Sequence, residues 1–124
     1  MKQRVLVVDD DRLVADTLNL IFEANGYESQ AAYSAEDGLL RARSFQPKLL
    51  LCDVSMPDHS GLQLVDQMSR EMPECRMLML SAYSNNALQV EQQAQRMKRP
   101  LKLLQKPCRP ETLLQEATLL LRTA

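Results

Sequence analysis

The chain has 124 residues, enough to bury a core of ordinary domain size, and its 45% hydrophobic and 25% charged composition argues against disorder. A net charge of -1 and 4% aromatic content leave neither a global field nor stacking platforms for nucleic acid. Three cysteines without a CxxC pair, and one histidine, indicate neither a disulfide framework nor zinc, and no apolar run approaches membrane-spanning length. The reading is therefore one domain over residues 1–124, cytoplasmic, with no membrane contact; Met1-Lys2-Gln3-Arg4 leads into too short an apolar run to be a signal peptide.

In chain order, Val5-Leu6-Val7-Val8 reads as a strand that runs into Asp9-Asp10-Asp11. A helix follows over about Arg12–Asn25, with Val14, Leu18 and Ile21 near helical spacing, Asp11 as its cap and Asn25-Gly26 as its stop. Glu28–Tyr33 is a weakly patterned strand, expected near a sheet edge. Ser34, with Asp37 three residues on, opens a second helix carrying Leu39, Leu40 and Ala42, which stops before Pro47. Lys48–Asp53 is a third strand, nearly all apolar until its final aspartate. Met56-Pro57-Asp58-His59-Ser60-Gly61 is rich in turn residues, and a helix with Leu62, Val65 and Met68 ends before Pro73. Arg76–Ser81 is a fourth, buried strand, followed by a polar helix over Asn86–Met97. Leu101–Lys106 is a fifth strand, read as another buried run, and the last helix opens at Pro110 with Leu113, Leu114, Ala117, Leu120 and Leu121.

Five βα units in succession imply an α/β fold: an open parallel sheet with helices on both faces. Such sheets bind ligands at the carboxyl ends of their strands. Asp9 and Asp10, Asp53, Ser81 and Lys106 all stand at such ends. Carboxylates gathered at one edge repel unless a cation holds them, and Mg2+ takes one or two carboxylates together with waters and phosphate oxygens. Lys106 adds a mobile ammonium and Ser81 a hydroxyl donor for phosphoryl oxygens. The bland readings are a solvated turn for the acidic run, a loop residue for His59, a small buried side chain for Cys52, core filler for the methionines, and a solvated face for Arg96, Lys98, Arg99 and Lys102.

Taken in order, Val7-Val8-Asp9-Asp10-Asp11, Cys52-Asp53-Val54-Ser55-Met56-Pro57, Gly61, Ser81-Ala82 and Lys106-Pro107 resemble the response-regulator receiver domains of two-component signalling over essentially the whole chain. The resemblance implies the doubly wound, CheY-like order 2-1-3-4-5. It implies that Asp53 is the phosphoacceptor, served by a sensor histidine kinase or a histidine phosphotransfer protein, and that Asp9, Asp10, Asp53 and the backbone carbonyl of Ser55 hold Mg2+. Ser81 and Lys106 would grip the phosphoryl oxygens, and Pro107 would follow a cis peptide bond. The domain would not be an enzyme in its own right beyond its own phosphorylation and dephosphorylation. The chain departs from the pattern at Leu103, where an aromatic usually stands, and lacks the Gly-Ala pair before the fifth strand, carrying Gln95-Arg96-Met97-Lys98-Arg99-Pro100 instead. Tyr83 stands where the family tunes dephosphorylation, and its ring could cover the pocket. Output or dimerisation through the face of the fourth helix, fifth strand and fifth helix is the expected partner surface.

Two other functions share parts of this pattern. A degenerate receiver that only binds protein is disfavoured because every site position keeps a competent side chain. A phosphoaspartyl hydrolase of the haloacid-dehalogenase type would want a second aspartate where Ser55 stands. No helix-turn-helix pattern is present, so direct contact with nucleic acid is not expected.

Overall fold

Period-two alternation along the strands divides the core into two layers. The computed structural model describes residues 2–56, 60–83 and 86–122. Strands β1 (Arg4–Val8), β2 (Glu28–Ala32), β3 (Leu49–Asp53), β4 (Arg76–Ser81) and β5 (Lys102–Gln105) form one parallel sheet in the order β2-β1-β3-β4-β5. Helices α1 (Arg12–Ala24), α2 (Ala35–Phe45), α3 (Ser60–Glu71), α4 (Asn86–Met97) and α5 (Pro110–Arg122) connect and cover the strands. This is the doubly wound order anticipated above.

Val5, Val7, Leu49, Leu51, Leu78 and Leu80 face one side, against Ala15, Leu18 and Phe22 of α1 and Leu113 and Ala117 of α5. Leu6, Val8, Leu50, Cys52, Met77 and Met79 face the other, against Ala42 and Phe45 of α2, Leu64, Val65 and Met68 of α3, and Val90 of α4. Each fully buried aliphatic chain of this kind stabilises by about 1.5–3 kcal/mol. Burial on both faces is why β1, β3 and β4 read as unbroken apolar runs. The methionines Met56, Met68, Met72, Met77 and Met79 are core residues, as expected.

The helix signals act locally as predicted. Asp11 caps α1 by accepting the Leu13 and Val14 N–H groups at 3.1 and 3.3 Å. Ser34 caps α2 by accepting the Asp37 N–H at 3.1 Å. Gly26, at φ 92, turns the chain after α1 in a conformation that side chains rarely adopt.

Four expectations are corrected. The buried stripe of α1 is Ala15, Leu18 and Phe22; Val14 and Ile21 flank it half-buried. The stripe turns because Phe22 is fully buried and meets Tyr27 edge-on at 5.4 Å. Leu40 lies on the solvent side of α2. β5 is an edge strand with Lys102 and Gln105 exposed and Leu103 and Leu104 half-buried, so it is not buried like the central three. Arg99 leaves the basic face: it is half-buried, and its guanidinium donates to the Cys75 carbonyl. The turn that places it has Lys98 at φ 53 and the Arg99 N–H on the Ala94 carbonyl at 3.1 Å. His59, with Pro57 and Asp58, lies outside the described residues.

Candidate functional site

The pleat decides which strand-end side chains meet. Asp53 continues the Leu49–Leu51 row, Lys106 continues from Leu104, and Asp9 follows Val5 and Val7, so all three share the α1/α5 face. Ser81 continues the Met77–Met79 row and belongs to the opposite face, beside α4. Backbone bonds fix the heights of these ends: the Asp9 N–H donates to the Ala32 carbonyl at 3.1 Å, Val54 to Leu80 at 2.8 Å, and Lys106 to Ser81 at 2.8 Å.

Lys106 Nζ lies 2.7 Å from Asp9 Oδ2 and 3.3 Å from Asp53 Oδ2, so one ammonium bridges two carboxylates. The second oxygens are held by backbone: Asp9 Oδ1 accepts the Asp11 N–H at 3.0 Å, and Asp53 Oδ1 accepts the Ser55 N–H at 2.8 Å. Asp9 is 1% exposed and Asp53 4%, while Asp10 is open to solvent. Burial pushes the Asp9 carboxyl above its ordinary range; the Lys106 hydrogen bond opposes that, and Asp53 adds to it. Burial also pulls on Lys106, downward, but the two carboxylates more than offset it and leave the ammonium above its usual value.

Asp9, Asp10 and Asp53 each offer an oxygen within 4.8 Å of the others. Three carboxylates against one ammonium leave an excess of negative charge, two of the carboxylates being buried. The donor set is all oxygen: the nearby Cys52 thiol is fully buried in the other layer, and burial holds it far above the usual thiol range. Carboxylates so spaced suit a hard divalent cation such as Mg2+ rather than a soft metal.

The sites of Asp9, Asp10, Asp53 and Lys106 are thus brought together, and the Lys106–Pro107 bond is cis. Ser55 reaches the cluster through its backbone N–H. Ser81 is fully buried, and its hydroxyl is engaged within its own loop: Oγ lies 2.5 Å from both the Tyr83 carbonyl and Asn86 Oδ1 and accepts the Tyr83 N–H at 3.0 Å. Tyr83 is 62% exposed, so its ring does not cover the pocket here; its backbone, not its ring, serves the site. Leu103 is half-buried on the same face as Ser81, opposite Met79.

Two contributors escaped the sequence reading. Asn86 accepts from Ser81 and, at 3.1 Å, from Ser55; an asparagine opening a helix is ordinarily taken for a cap, so nothing in the sequence marked it. Tyr33 donates to Asp16 at 2.6 Å under the Arg12 guanidinium, 4.5 Å from the ring, and so ties the end of β2 to α1 beside Asp9.

Gly61 gains a reason. A Cβ there would stand 2.3 Å from the Asp53 carbonyl oxygen, a backbone atom that cannot step aside. Gly61→Ala is expected to destabilise the fold by about 1–3 kcal/mol in urea denaturation. An unchanged midpoint would contradict this close approach.

A doubly wound sheet binds its ligands at the carboxyl ends of its strands, the edge where these carboxylates, the lysine and the hydroxyl stand. The chain belongs to the response regulator receiver domain family, whose model matches residues 5–118. It is 31% identical over 86 residues to the acid tolerance regulatory protein ActR of Rhizobium meliloti, covering 69% of this chain and 44% of that protein. It is 35% identical over 82 residues to the response regulator MprA of Mycobacterium tuberculosis, covering 66% and 36%. The chain therefore spans less than half the length of these curated relatives. Among solved structures it is similar to a CheY-like receiver domain from Methanospirillum hungatei JF-1, with TM-score 0.88, 27% identity, and 98% and 95% of the two chains covered. It is also similar to NtrX from Brucella abortus, with TM-score 0.83, 28% identity, and 99% of this chain against 27% of that one. The family is a signalling family of two-component response regulators, with histidine kinases or phosphotransfer proteins as partners.

Proposed function

We propose that Asp53 accepts a phosphoryl group from the phosphohistidine of a sensor kinase or phosphotransfer protein, with Asp9, Asp10, Asp53 and the Ser55 carbonyl as the ligands for Mg2+. The observation that carries this reading is the bridging of Asp9 and Asp53 by Lys106 within an otherwise acidic pocket. An Asp53 carboxylate oxygen attacks phosphorus in line; the P–N bond breaks with its electron pair going to the imidazole nitrogen, which takes up a proton from solvent, and an acyl phosphate remains. The Ser55 N–H holds Asp53 Oδ1 and so orients the carboxylate for attack. Lys106 turns its ammonium from the carboxylates to a phosphoryl oxygen and offsets charge as the bond forms. Mg2+, when bound, supplies the remaining positive charge against the repulsion of anionic nucleophile and anionic donor. Ser81 donates its hydroxyl proton to a second phosphoryl oxygen. Water attack in the same pocket returns the domain to its starting state, so the chemistry serves a switch rather than a turnover.

The test is incubation with acetyl phosphate and Mg2+, read by intact mass. One phosphoryl group is expected in Mg2+ and none in EDTA; a wild-type chain that takes none from this donor or from histidine-phosphorylated proteins would overturn the reading. We further propose a cytoplasmic setting, in keeping with three free cysteines, and a downstream protein target or second copy met on the face of α4, β5 and α5. Among the described residues, no helix is long and apolar enough to cross a membrane.

Leu103 separates site from output. Leu103→Tyr is expected to leave the phosphorylation rate within a few fold of wild type and to alter partner binding or dimerisation. Loss of phosphorylation in that variant would show that β5 and the pocket are not separable.

A further inference from the structure

The segment after β4 is tied to the phosphoacceptor loop at Ser55, by the Ala82 N–H and by the Asn86 side-chain amide. Ser55 Oγ accepts the Ala82 N–H at 3.1 Å and donates to Asn86 Oδ1 at 3.1 Å. Ser81 Oγ reaches the same Oδ1 at 2.5 Å, so one oxygen joins two hydroxyls from two strand ends. Asn86 opens α4, and its Nδ2 donates to Gln89 Oε1 at 3.1 Å, a side chain on the exposed surface of the helix. At the other end, the Ser55 N–H holds Asp53 Oδ1 at 2.8 Å. The path from Asp53 to the surface of α4 therefore runs through Ser55, Asn86 and Gln89. On the β5 side, Ser81 stands in register with Gln105, whose side chain is exposed, and Leu103 lies one pair back opposite Met79.

We infer that Asn86 is a latch: its amide holds the Ser81 hydroxyl, phosphorylation of Asp53 withdraws that hydroxyl, and the signal leaves through the first turn of α4. The inference rests on the phosphoacceptor reading above. Its core is stoichiometric. A serine hydroxyl has one proton. Given to a phosphoryl oxygen, that proton is withdrawn from Asn86 and Tyr83 together. Asn86 Oδ1 then keeps only the Ser55 hydroxyl at 3.1 Å, so the first turn of α4 loses one of the two hydroxyls that tie it to the strand ends. Linkage makes the coupling reciprocal: a partner that prefers the released α4 stabilises the acyl phosphate.

The test is an NMR titration of the 15N-labelled chain in Mg2+ with beryllofluoride as the phosphoryl mimic. In the wild type, the Asn86 side-chain amide resonances are expected to move at the same concentration as the Ser81 backbone amide. Exchange of the Val90 and Glu91 amides is expected to accelerate by about fivefold, the equivalent of one net hydrogen bond. Asn86→Ala should bind the mimic about fivefold more tightly, with those amides exchanging fast before and after addition. Asn86→Asp keeps an acceptor in place and should restore wild-type protection in the free protein. A wild type that binds the mimic with an unmoved Asn86 amide, together with wild-type affinity in Asn86→Ala, would overturn the latch and leave the phosphoacceptor reading intact. No saturable shift in the wild type would overturn both.

Discussion

Lys106→Ala is expected to slow phosphorylation by acetyl phosphate by about two to three orders of magnitude at saturating Mg2+. The ammonium lies 2.7 Å from Asp9 and 3.3 Å from Asp53, mostly shielded from solvent, so its charge acts through a medium far less polarisable than water. Nothing else among the described residues brings a cation into contact with both carboxylates. Lys106→Arg keeps the charge as a planar fork in place of a compact ammonium and should recover only part of the rate. Titration gives a second readout. Burial pulls Lys106 down and its carboxylates more than offset this, so its value in the folded state exceeds that in the unfolded chain. Its stabilising contribution is then complete below the unfolded value and lost as pH rises through the folded one. The wild type should therefore lose stability more steeply than Lys106→Ala on the alkaline limb. Intact-mass time courses and urea denaturation across pH check both; a rate within threefold of wild type would contradict the role given to Lys106.

Asp9→Asn is expected to make the metal-free protein more stable, by on the order of 1 kcal/mol at neutral pH, and to abolish stabilisation by Mg2+. Burial is the main cause of the raised Asp9 carboxyl, with the Asp53 charge adding to it against the Lys106 hydrogen bond. The sign is the reverse of an ordinary paired carboxylate. The folded state holds the Asp9 proton more tightly than the unfolded chain, so the metal-free wild type gains stability as pH falls through the folded value. Asp9→Asn lacks that gain because it has no proton to take up. Mg2+ at a hundredfold its dissociation constant should stabilise the wild type by about 2.7 kcal/mol and leave the variant unchanged. Urea denaturation in EDTA and in Mg2+ measures both effects. A variant less stable than wild type in EDTA, or one still stabilised by Mg2+, would contradict the metal assignment.

What could be read from the sequence follows from where each residue is buried. Val5–Val8, Leu49–Cys52 and Met77–Leu80 were legible because central parallel strands bury both faces and so lose any polar alternation. β5 misled because a short apolar pair between two polar residues reads alike on an edge and in the centre; only the neighbour list of the sheet separates them. The two stripes on α1 share Leu18, and the choice between them was made by the burial of Phe22 against Tyr27, a long-range packing event. Asp9, Asp10, Asp53 and Lys106 were legible because each terminates a strand. Which sheet face Ser81 takes also follows from the pleat, once the strand is known. Asn86 was not legible: its amide meets Ser55 across 31 residues of sequence, and no local pattern encodes such a contact. Gly61 was legible as a motif, while its cause, the Asp53 carbonyl 2.3 Å from where a Cβ would stand, needed the fold.

The central claim is that Asp53 carries the phosphoryl group, and the most direct measurement is chemical trapping at that carboxylate. The chain is phosphorylated with acetyl phosphate in Mg2+, reduced with borohydride, digested and sequenced by mass spectrometry. Reduction of an acyl phosphate converts the aspartate that carried it to homoserine. The account predicts homoserine at position 53 alone, dependent on both donor and Mg2+, and none in Asp53→Asn. Homoserine at Asp9 or Asp10 in place of Asp53, or a stable phosphoryl group that survives in Asp53→Asn, would contradict it.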